Sequence, residues 1–466
     1  MEISIPLAGD GGTPYYEQIY SYIKKEILSG RIRKGEKLPS TRALSLALSV
    51  SRNTVQTAYD QLTAEGYLIP EPQRGYFAAG LQWNYSVENT AAAQESFSQD
   101  TEADTEEYAV DFAPFGVDVA HFPFATWRKL AREILSEENR EVLSGGDPRG
   151  EYGLRASICR YLNSSRGMRA RPEQVVVGAG TAYLLMLLTQ LTGARRVAVE
   201  DPTYRHVSRM LRRLSHEIIP VSTDRQGMKT EKLQETEADM AYVMPAHQFP
   251  TGAVLPLDRR QELLRWAEEK LGRYLMEDDY DSEFRYRGKP IPSLSALGVS
   301  DPIIYLGTFS QTVAPAIRVS FMVLPESLNR DFDEKCGYYS QTVSRIDQEV
   351  LAKFMDDGYF ERHLNRMRGV YKGKHDALID ALQPLRNRFA ISGERAGLYL
   401  RLTSKSGCAE SALIAAAKEA GVKIYGVSEY FLTPRESSSV LLGFANLSEE
   451  EIREGVRRLG EVWLTQ

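Results

Sequence analysis

The sequence predicts a two-part α/β protein. A small N-terminal module of three helices and a two-stranded hairpin precedes a large α/β domain with a mostly parallel central sheet and a smaller C-terminal α+β part. In the larger part, short apolar runs alternate with amphipathic helical patterns, which is typical of a parallel sheet flanked by helices. A stretch rich in acidic and small polar residues separates that part from the first, and the chain of 466 residues is too long for one ordinary domain.

Composition limits the classes of protein to consider. Hydrophobic residues make up 42% of the chain and charged residues 26%, the balance of a soluble globular protein. The net charge of −6 argues against a protein that coats nucleic acid, so any contact with DNA must come from a local basic patch. No run of apolar residues is long enough to span a membrane. The three scattered cysteines indicate neither disulfides nor a metal site, and we expect a reducing cytoplasm: Cys159, Cys336 and Cys408.

Three helical patterns and a turn-rich hairpin pattern occupy residues 14–77. The first helix is expected over residues 14–29 and ends at Gly30, while the second and third begin at the N-cap serines Ser40 and Ser51. Gly66 ends the third helix. The apolar positions recur at helical spacing and are expected in the core: Ile19, Ile23, Ile27, Leu44, Leu48, Val55, Tyr59 and Leu62.

Two helices joined by a tight turn and followed by a hairpin form the plan of a winged helix-turn-helix. The turn falls at Ser49-Val50, and the hairpin at residues 68–77. In this plan the polar N-terminal residues of the later helix enter the major groove of DNA. The module is expected to span residues 1–81.

Three motifs in this module resemble the GntR-type DNA-binding domain. They are Leu38-Pro39-Ser40-Thr41-Arg42, Val50-Ser51-Arg52-Asn53-Thr54-Val55 and Glu65-Gly66-Tyr67-Leu68, in that order. The resemblance implies that the first turn of the third helix and the tip of the wing contact DNA. A solvated surface charge is the alternative interpretation of each arginine. The candidate DNA-binding residues are Arg42, Arg52, Asn53, Thr54, Gln56, Arg74 and Gly75.

An acidic linker is predicted over residues 82–108. The chain contains no lysine or arginine from Gly75 through Trp127, and the centre of this stretch has little to bury. As a coil the linker would span on the order of 28 Å, enough for the two domains to dock on different subunits of a dimer. A spacer without a geometric role is the alternative.

In the larger domain, residues 109–466, small and polar residues follow the predicted strands. Apolar runs at 174–178, 196–199, 241–244 and 302–306 are interpreted as buried strands. The run Ala179-Gly180-Thr181-Ala182 follows the first strand and opens a helix, whose backbone amides would make a cradle for phosphate. Such a turn alone is a weak signal, because many strand–helix turns contain small residues.

The order of the following motifs is more specific. Glu200-Asp201-Pro202-Thr203-Tyr204, Ala246-His247-Gln248-Phe249-Pro250-Thr251-Gly252 and Glu277-Asp278-Asp279-Tyr280-Asp281-Ser282-Glu283-Phe284 precede a segment from Tyr305 to Arg318. Together they resemble the aminotransferase-like domain of MocR-type regulators, a branch of the GntR family with the fold of fold-type-I pyridoxal-5′-phosphate (PLP) aminotransferases. A solvated loop is the alternative interpretation of the acidic run 277–281.

The resemblance assigns a role to each matched position. Asp278 would pair with the pyridine nitrogen, Tyr280 would hydrogen-bond the 3-oxygen, and Tyr204 would stack on the ring. Thr181, Ser310 and Arg318 would hold the phosphate. A turn histidine bonded to backbone is the alternative for His247, and Arg205 is the candidate for binding an effector carboxylate, with a surface position as its alternative. The candidate cofactor-binding residues are Gly180, Thr181, Ala182, Tyr204, His247, Asp278, Tyr280, Thr308, Ser310, Gln311 and Arg318.

Gln311 departs from the family pattern. It stands where relatives carry the lysine that links covalently to PLP, and a carboxamide has no basic amine to condense with an aldehyde. The general base of transamination is lost with the lysine, so we predict no catalytic residue and, at most, non-covalent PLP. Two origins fit: a lysine deliberately exchanged for glutamine, or a natural member that has lost the covalent link.

Three functions follow from these patterns. The favoured one is a transcription regulator that binds double-stranded operator DNA and senses PLP or a PLP/amino-acid-type effector. The second is an aminotransferase with a DNA-binding domain, disabled at position 311. The third is a cofactor-free scaffold for dimerisation. The resemblance implies a homodimer, with a head-to-tail, domain-swapped arrangement as one option.

Overall fold

The computed structural model describes residues 5–7, 13–79, 108–286, 288, 291–298 and 302–464. The chain divides into two compact units, residues 1–106 and 107–466. The predicted linker 82–108 lies outside the described residues except for Tyr108. Its conformation and the exact domain boundaries therefore stay predictions.

The first unit is a winged helix-turn-helix. Ser40 and Ser51 cap their helices as predicted, because their hydroxyls accept the amides of Ala43 and Thr54 at 3.1 Å. The isoleucines of the first helix pack on the inward face of the third. The hairpin pairs Leu68 with Ala78. The elements are α1 (Tyr15–Leu28), α2 (Thr41–Ala47), α3 (Arg52–Ala64), β1 (Leu68–Glu71) and β2 (Gly75–Ala78).

The second unit is built on a mixed, mostly parallel sheet. Its described residues form eight strands in the order β4-β11-β10-β9-β8-β5-β6-β7. Strand β11 runs antiparallel to both neighbours, so β4 points in the same direction as β10. The strands, after the short β3 (Val110–Asp111), are β4 (Val175–Gly178), β5 (Arg196–Asp201), β6 (Glu217–Asp224), β7 (Gly227–Met228), β8 (Met240–Val243), β9 (Tyr274–Asp279), β10 (Ile303–Thr308) and β11 (Ser320–Val323).

Helices cover both faces of this sheet, which explains why its central strands are buried apolar runs rather than alternating patterns. The described helices are α4 (Phe124–Ile134), α5 (Tyr152–Ser165), α6 (Thr181–Thr192), α7 (Arg205–Arg213), α8 (Thr230–Gln234), α9 (Leu257–Glu268), α10 (Glu326–Cys336), α11 (Arg345–Asp356), α12 (Tyr359–Ala381), α13 (Glu410–Glu419) and α14 (Glu449–Trp463).

The C-terminal part is α+β, as the sequence predicts. It forms a four-stranded sheet in the described residues, in the order β12-β13-β16-β15. Strand β3 pairs in parallel with β14, so the start of the second unit is anchored on this part. The strands are β12 (Phe389–Ser392), β13 (Tyr399–Ser404), β14 (Val422–Lys423), β15 (Tyr425–Gly426) and β16 (Ser439–Gly443).

In the described residues, the strand directions place six strand ends on one edge of the large sheet. Strands β4, β5, β6, β8, β9 and β10 all end there. In open α/β sheets, ligands bind outside such carboxyl ends. Across the part of the chain that the structure describes, no helix is both long and apolar enough to span a membrane.

Candidate cofactor site and nucleic-acid interface

A cavity of about 430 Å³ lies at this edge of the sheet. It is formed by residues at or just after the ends of the parallel strands, together with the first turns of α6 and α7. Ten of the eleven candidate cofactor-binding residues line it. Its lining is Phe115, Gly180, Thr181, Ala182, Leu185, Tyr204, His206, Val207, Met210, Tyr242, Met244, Phe249, Asp278, Tyr280, Thr308, Ser310, Gln311, Pro315, Arg318 and Ser320.

One end of the cavity is suited to an anion. Helix α6 begins at Thr181, directly after Gly180, so its first amides face this end without intrahelical partners. Gly180 has φ 90°, and a Cβ there would lie 2.3 Å from Nη2 of Arg318. The glycine therefore lets the guanidinium lie against the backbone of the turn. This cradle fits the phosphate of PLP.

Asp278 supplies the acidic group of the cavity. It lies near the end of β9, where the hydroxyl of Tyr242 donates a hydrogen bond to it. Burial raises the pKa of Asp278 to about 7; the Tyr242 hydroxyl opposes this shift, and the charges of Asp279 and Asp281 add to it. A protonated pyridine nitrogen would favour the ionised carboxylate, so Asp278 fits the ring of PLP.

His247 is the candidate residue that does not line the cavity. Its Nδ1 lies 2.7 Å from Oδ2 of Asp281 and 3.2 Å from the hydroxyl of Tyr280. Its ring is packed so closely on Gly397 that a Cβ there would lie 1.9 Å from Cε1. His247 thus lies behind Tyr280, where it can fix the orientation of that phenol.

Gln311 also lines the cavity. Its Oε1 is buried and accepts no hydrogen bond from any described residue. Among the described residues that line the cavity there is no lysine. The site therefore lacks an amine for a covalent link and leaves one buried acceptor for a ligand to satisfy.

The candidate DNA-binding residues lie on α2, on the first turns of α3 and on the wing. Arg42, Arg52 and Asn53 are exposed. The Thr54 hydroxyl is 2.8 Å from that of Ser51, so its side chain belongs to the helix cap. Gln56 donates to Asp60 at 2.7 Å and to the Tyr76 hydroxyl at 3.0 Å, and therefore links α3 to the wing.

At the wing tip, Arg74 pairs with Glu71 and is exposed. Gly75 has φ 111°, which only glycine adopts easily. The wing tip is therefore a tight turn that carries one exposed arginine, and its contact with DNA stays a prediction.

Comparison with known proteins agrees with both units. The description "Bacterial regulatory proteins, gntR family" matches residues 15–77, and "Aminotransferase class I and II" matches residues 116–459. The HTH-type transcriptional regulator YhdI of Bacillus subtilis (strain 168) is 38% identical over 99% of this chain and 98% of its own. The HTH-type pyridoxine biosynthesis transcriptional regulator PdxR of Corynebacterium glutamicum is 31% identical over 94% of this chain and 93% of its own.

The chain belongs to the MocR-type regulators of the GntR family. Its second unit resembles the multiple substrate aminotransferase of Thermococcus profundus, with a TM-score of 0.70 and 25% identity over 80% of this chain and 94% of that one. The predicted fold class is thereby confirmed. In this MocR-type regulator the aminotransferase fold implies PLP binding at the family level, and GntR-type regulators bind operator DNA and small-molecule effectors.

Sequence reasoning missed several residues of the cavity in this MocR-type regulator. Tyr242 lies in a strand interpreted only as apolar, although a buried tyrosine hydroxyl needs a partner and so hints at a polar neighbour. Phe115 comes from the segment after β3, and its ring lies 5.1 Å from that of Tyr204 and 4.7 Å from that of Phe249. No local sequence signal marks it.

Arg205, the predicted effector arginine, is not among the residues that line the cavity. Its Nη1 donates to the carbonyl oxygen of Glu429 at 2.8 Å. The neighbouring His206 lines the cavity instead, with its ring 5.2 Å from that of Tyr204. A role for Arg205 in binding an effector stays a prediction.

Proposed function

We propose that this MocR-type transcription regulator senses a vitamin-B6 phosphate, PLP or a PLP/amino-acid-type effector, held without a covalent bond. The observation that carries the proposal is the set of groups around one cavity: a glycine-lined anion cradle, a buried acid and a glutamine where an amine is required. The name of the regulator PdxR, which refers to pyridoxine biosynthesis, supports the same class of ligand.

Arg318, Thr181 and Ser310 would hold the phosphate, Asp278 the pyridine nitrogen, and Tyr204 one face of the ring. When bound, PLP supplies an electron-withdrawing ring that stabilises negative charge on an attached carbon. This chain has no amine at position 311 to form the covalent link or to move a proton. Recognition without turnover is therefore the proposed role, rather than that of an enzyme.

The DNA-reading surface would use Arg42, Arg52 and the wing tip for phosphate contacts, which set affinity and salt dependence, and residues 52–56 for bases. Ligand binding would change the affinity for operator DNA only to the extent that the ligand prefers one arrangement of a homodimer. A head-to-tail dimer is our proposal for that arrangement, because the predicted linker would be long enough as a coil to allow it.

The test is a titration of the regulator's own promoter DNA, followed by mobility shift, with and without PLP. We expect saturable, salt-sensitive binding that a scrambled DNA of equal length does not reproduce, and a changed midpoint when PLP is present. Equal binding to both DNAs would refute sequence-specific regulation, and a midpoint unchanged at saturating PLP would refute sensing.

The runner-up is an aminotransferase with a DNA-binding domain. Its support is the match of the aminotransferase family over residues 116–459. Turnover of an amino acid by the chain with Gln311 in place would favour it.

A further inference from the structure

The buried amide oxygen of Gln311 accepts no hydrogen bond from any residue that the structure describes. Leaving such a group unpaired costs free energy, and the cost is recovered when a ligand offers an N–H or O–H. The Thr308 hydroxyl accepts the Ser310 backbone amide at 3.1 Å and the Ser320 hydroxyl at 2.9 Å. The buried hydroxyl of Thr312 has no partner among the described residues either, so it does not donate to Gln311. Since no described residue donates to the Gln311 oxygen, a ligand in the cavity can supply the donor.

The vitamin-B6 phosphates differ in the group that would face Gln311. The aldehyde of PLP is only an acceptor. The aminomethyl group of pyridoxamine 5′-phosphate (PMP) is protonated at neutral pH, like the side chain of lysine, and carries three donors. An ammonium pairs with the amide oxygen in the orientation that the structure shows, whereas an aldehyde oxygen is paired only if the amide rotates to present its Nε2.

The absence of a lysine at position 311 also reduces the advantage of the aldehyde form over the amine form. In a site with a lysine, the aldehyde form gains a covalent bond that the amine form cannot make. With Gln311 in that position neither form gains it, so the advantage of the aldehyde is lost. The remaining contacts, to Arg318, Asp278 and Tyr204, are common to both forms.

We propose that the site selects the amine form of the cofactor, PMP, over the aldehyde form. This inference rests on the proposed function and specifies its ligand. A regulator of this kind would report how much of the vitamin-B6 phosphate pool is in the amine state.

The first experiment compares PMP, PLP and pyridoxine 5′-phosphate by calorimetric titration of the full chain. A hydrogen bond from a charged donor predicts that PMP binds roughly tenfold more tightly than PLP. PLP binding as tightly as PMP, or more tightly, would overturn the inference, because the amide would then be presenting its nitrogen to the aldehyde. If none of the three binds, the proposed function itself fails.

The second experiment changes position 311. Gln311→Leu keeps a similar volume and removes the acceptor, so PMP should lose roughly tenfold in affinity while PLP changes little. Gln311→Glu should increase the preference for PMP. Gln190→Leu, at an exposed position on α6, is the matched control and should change neither affinity. Equal loss of both ligands in Gln311→Leu, with unfolding temperature unchanged, would assign Gln311 a packing role and contradict selection.

Discussion

At the scale of single residues, Gly180 determines whether the anion cradle can form. Its positive φ and its contact with Arg318 both exclude a side chain. Gly193, at the other end of α6, has φ 67° and open space around it. Alanine substitutions at these two glycines therefore distinguish the effect of backbone strain from the effect of blocking the cradle.

Gly180→Ala should lower affinity for a vitamin-B6 phosphate by at least about tenfold, because the new methyl group displaces the guanidinium of Arg318 from the phosphate. Gly193→Ala is the control: it should cost about 1 kcal/mol in the free energy of unfolding through strain alone. Calorimetric titration and thermal unfolding measure the two effects. Equal ligand affinity in both variants would contradict the cradle.

Asp278 is the second residue on which the site depends. Asp278→Asn keeps the shape and the hydrogen bond from Tyr242 but removes the negative charge, so ligand affinity should fall about tenfold. Asp380→Asn, at an exposed position of α12, should leave affinity unchanged. An unchanged affinity in Asp278→Asn would show that the ring nitrogen is not bound here.

At the scale of elements, the acids buried around the central strands make stability depend on pH. Glu200, at 1% exposure, accepts the amide of Met244 at 3.2 Å, and burial raises its pKa to about 8. A glutamate in the unfolded chain has a pKa near 4.3, so the folded state keeps the Glu200 proton over a wider range of pH. The stability it contributes is full below the unfolded value and is lost as pH rises towards 8.

The free energy of unfolding of Glu200→Gln should therefore rise relative to that of the parent as pH rises from 5 to 8. The relative increase should be at most roughly 1.4 kcal/mol per pH unit. Denaturant unfolding at several pH values measures the difference. Glu217→Gln, at an exposed position of β6, should show no such trend. A difference independent of pH would contradict a neutral Glu200 in the folded state.

Helix α3 is the element that we propose reads DNA. Arg52→Ala should weaken operator binding and reduce the slope of log affinity against log salt by about 1, because one phosphate contact is lost. Arg169→Ala removes the same charge from an exposed position of the second unit and should leave the slope unchanged. Fluorescence anisotropy across a salt series measures the slope for both variants. An identical slope in Arg52→Ala and Arg169→Ala would show that Arg52 does not contact a DNA phosphate.

At the scale of the whole molecule, the sequence predicts helices and strands better than it predicts which distant residues lie next to each other. Strand ends followed by small or acidic residues predict Gly180, Asp278 and Gln311 in one cavity, because parallel strands end at a common edge. Phe115 could not be predicted this way, since its position depends on packing between distant segments. The resemblance favours Arg205 as the effector arginine, yet the first turn of α7 presents His206 to the cavity.

The central claim is that this regulator holds its cofactor without a covalent bond. The direct measurement is intact-mass spectrometry of the full chain saturated with PLP, treated with borohydride and then denatured, with Gln311→Lys as the positive control. We predict saturable, reversible binding and an unmodified mass for the chain with Gln311, and an added phosphopyridoxyl mass for Gln311→Lys. A phosphopyridoxyl group fixed to any side chain of the chain with Gln311 would contradict the account.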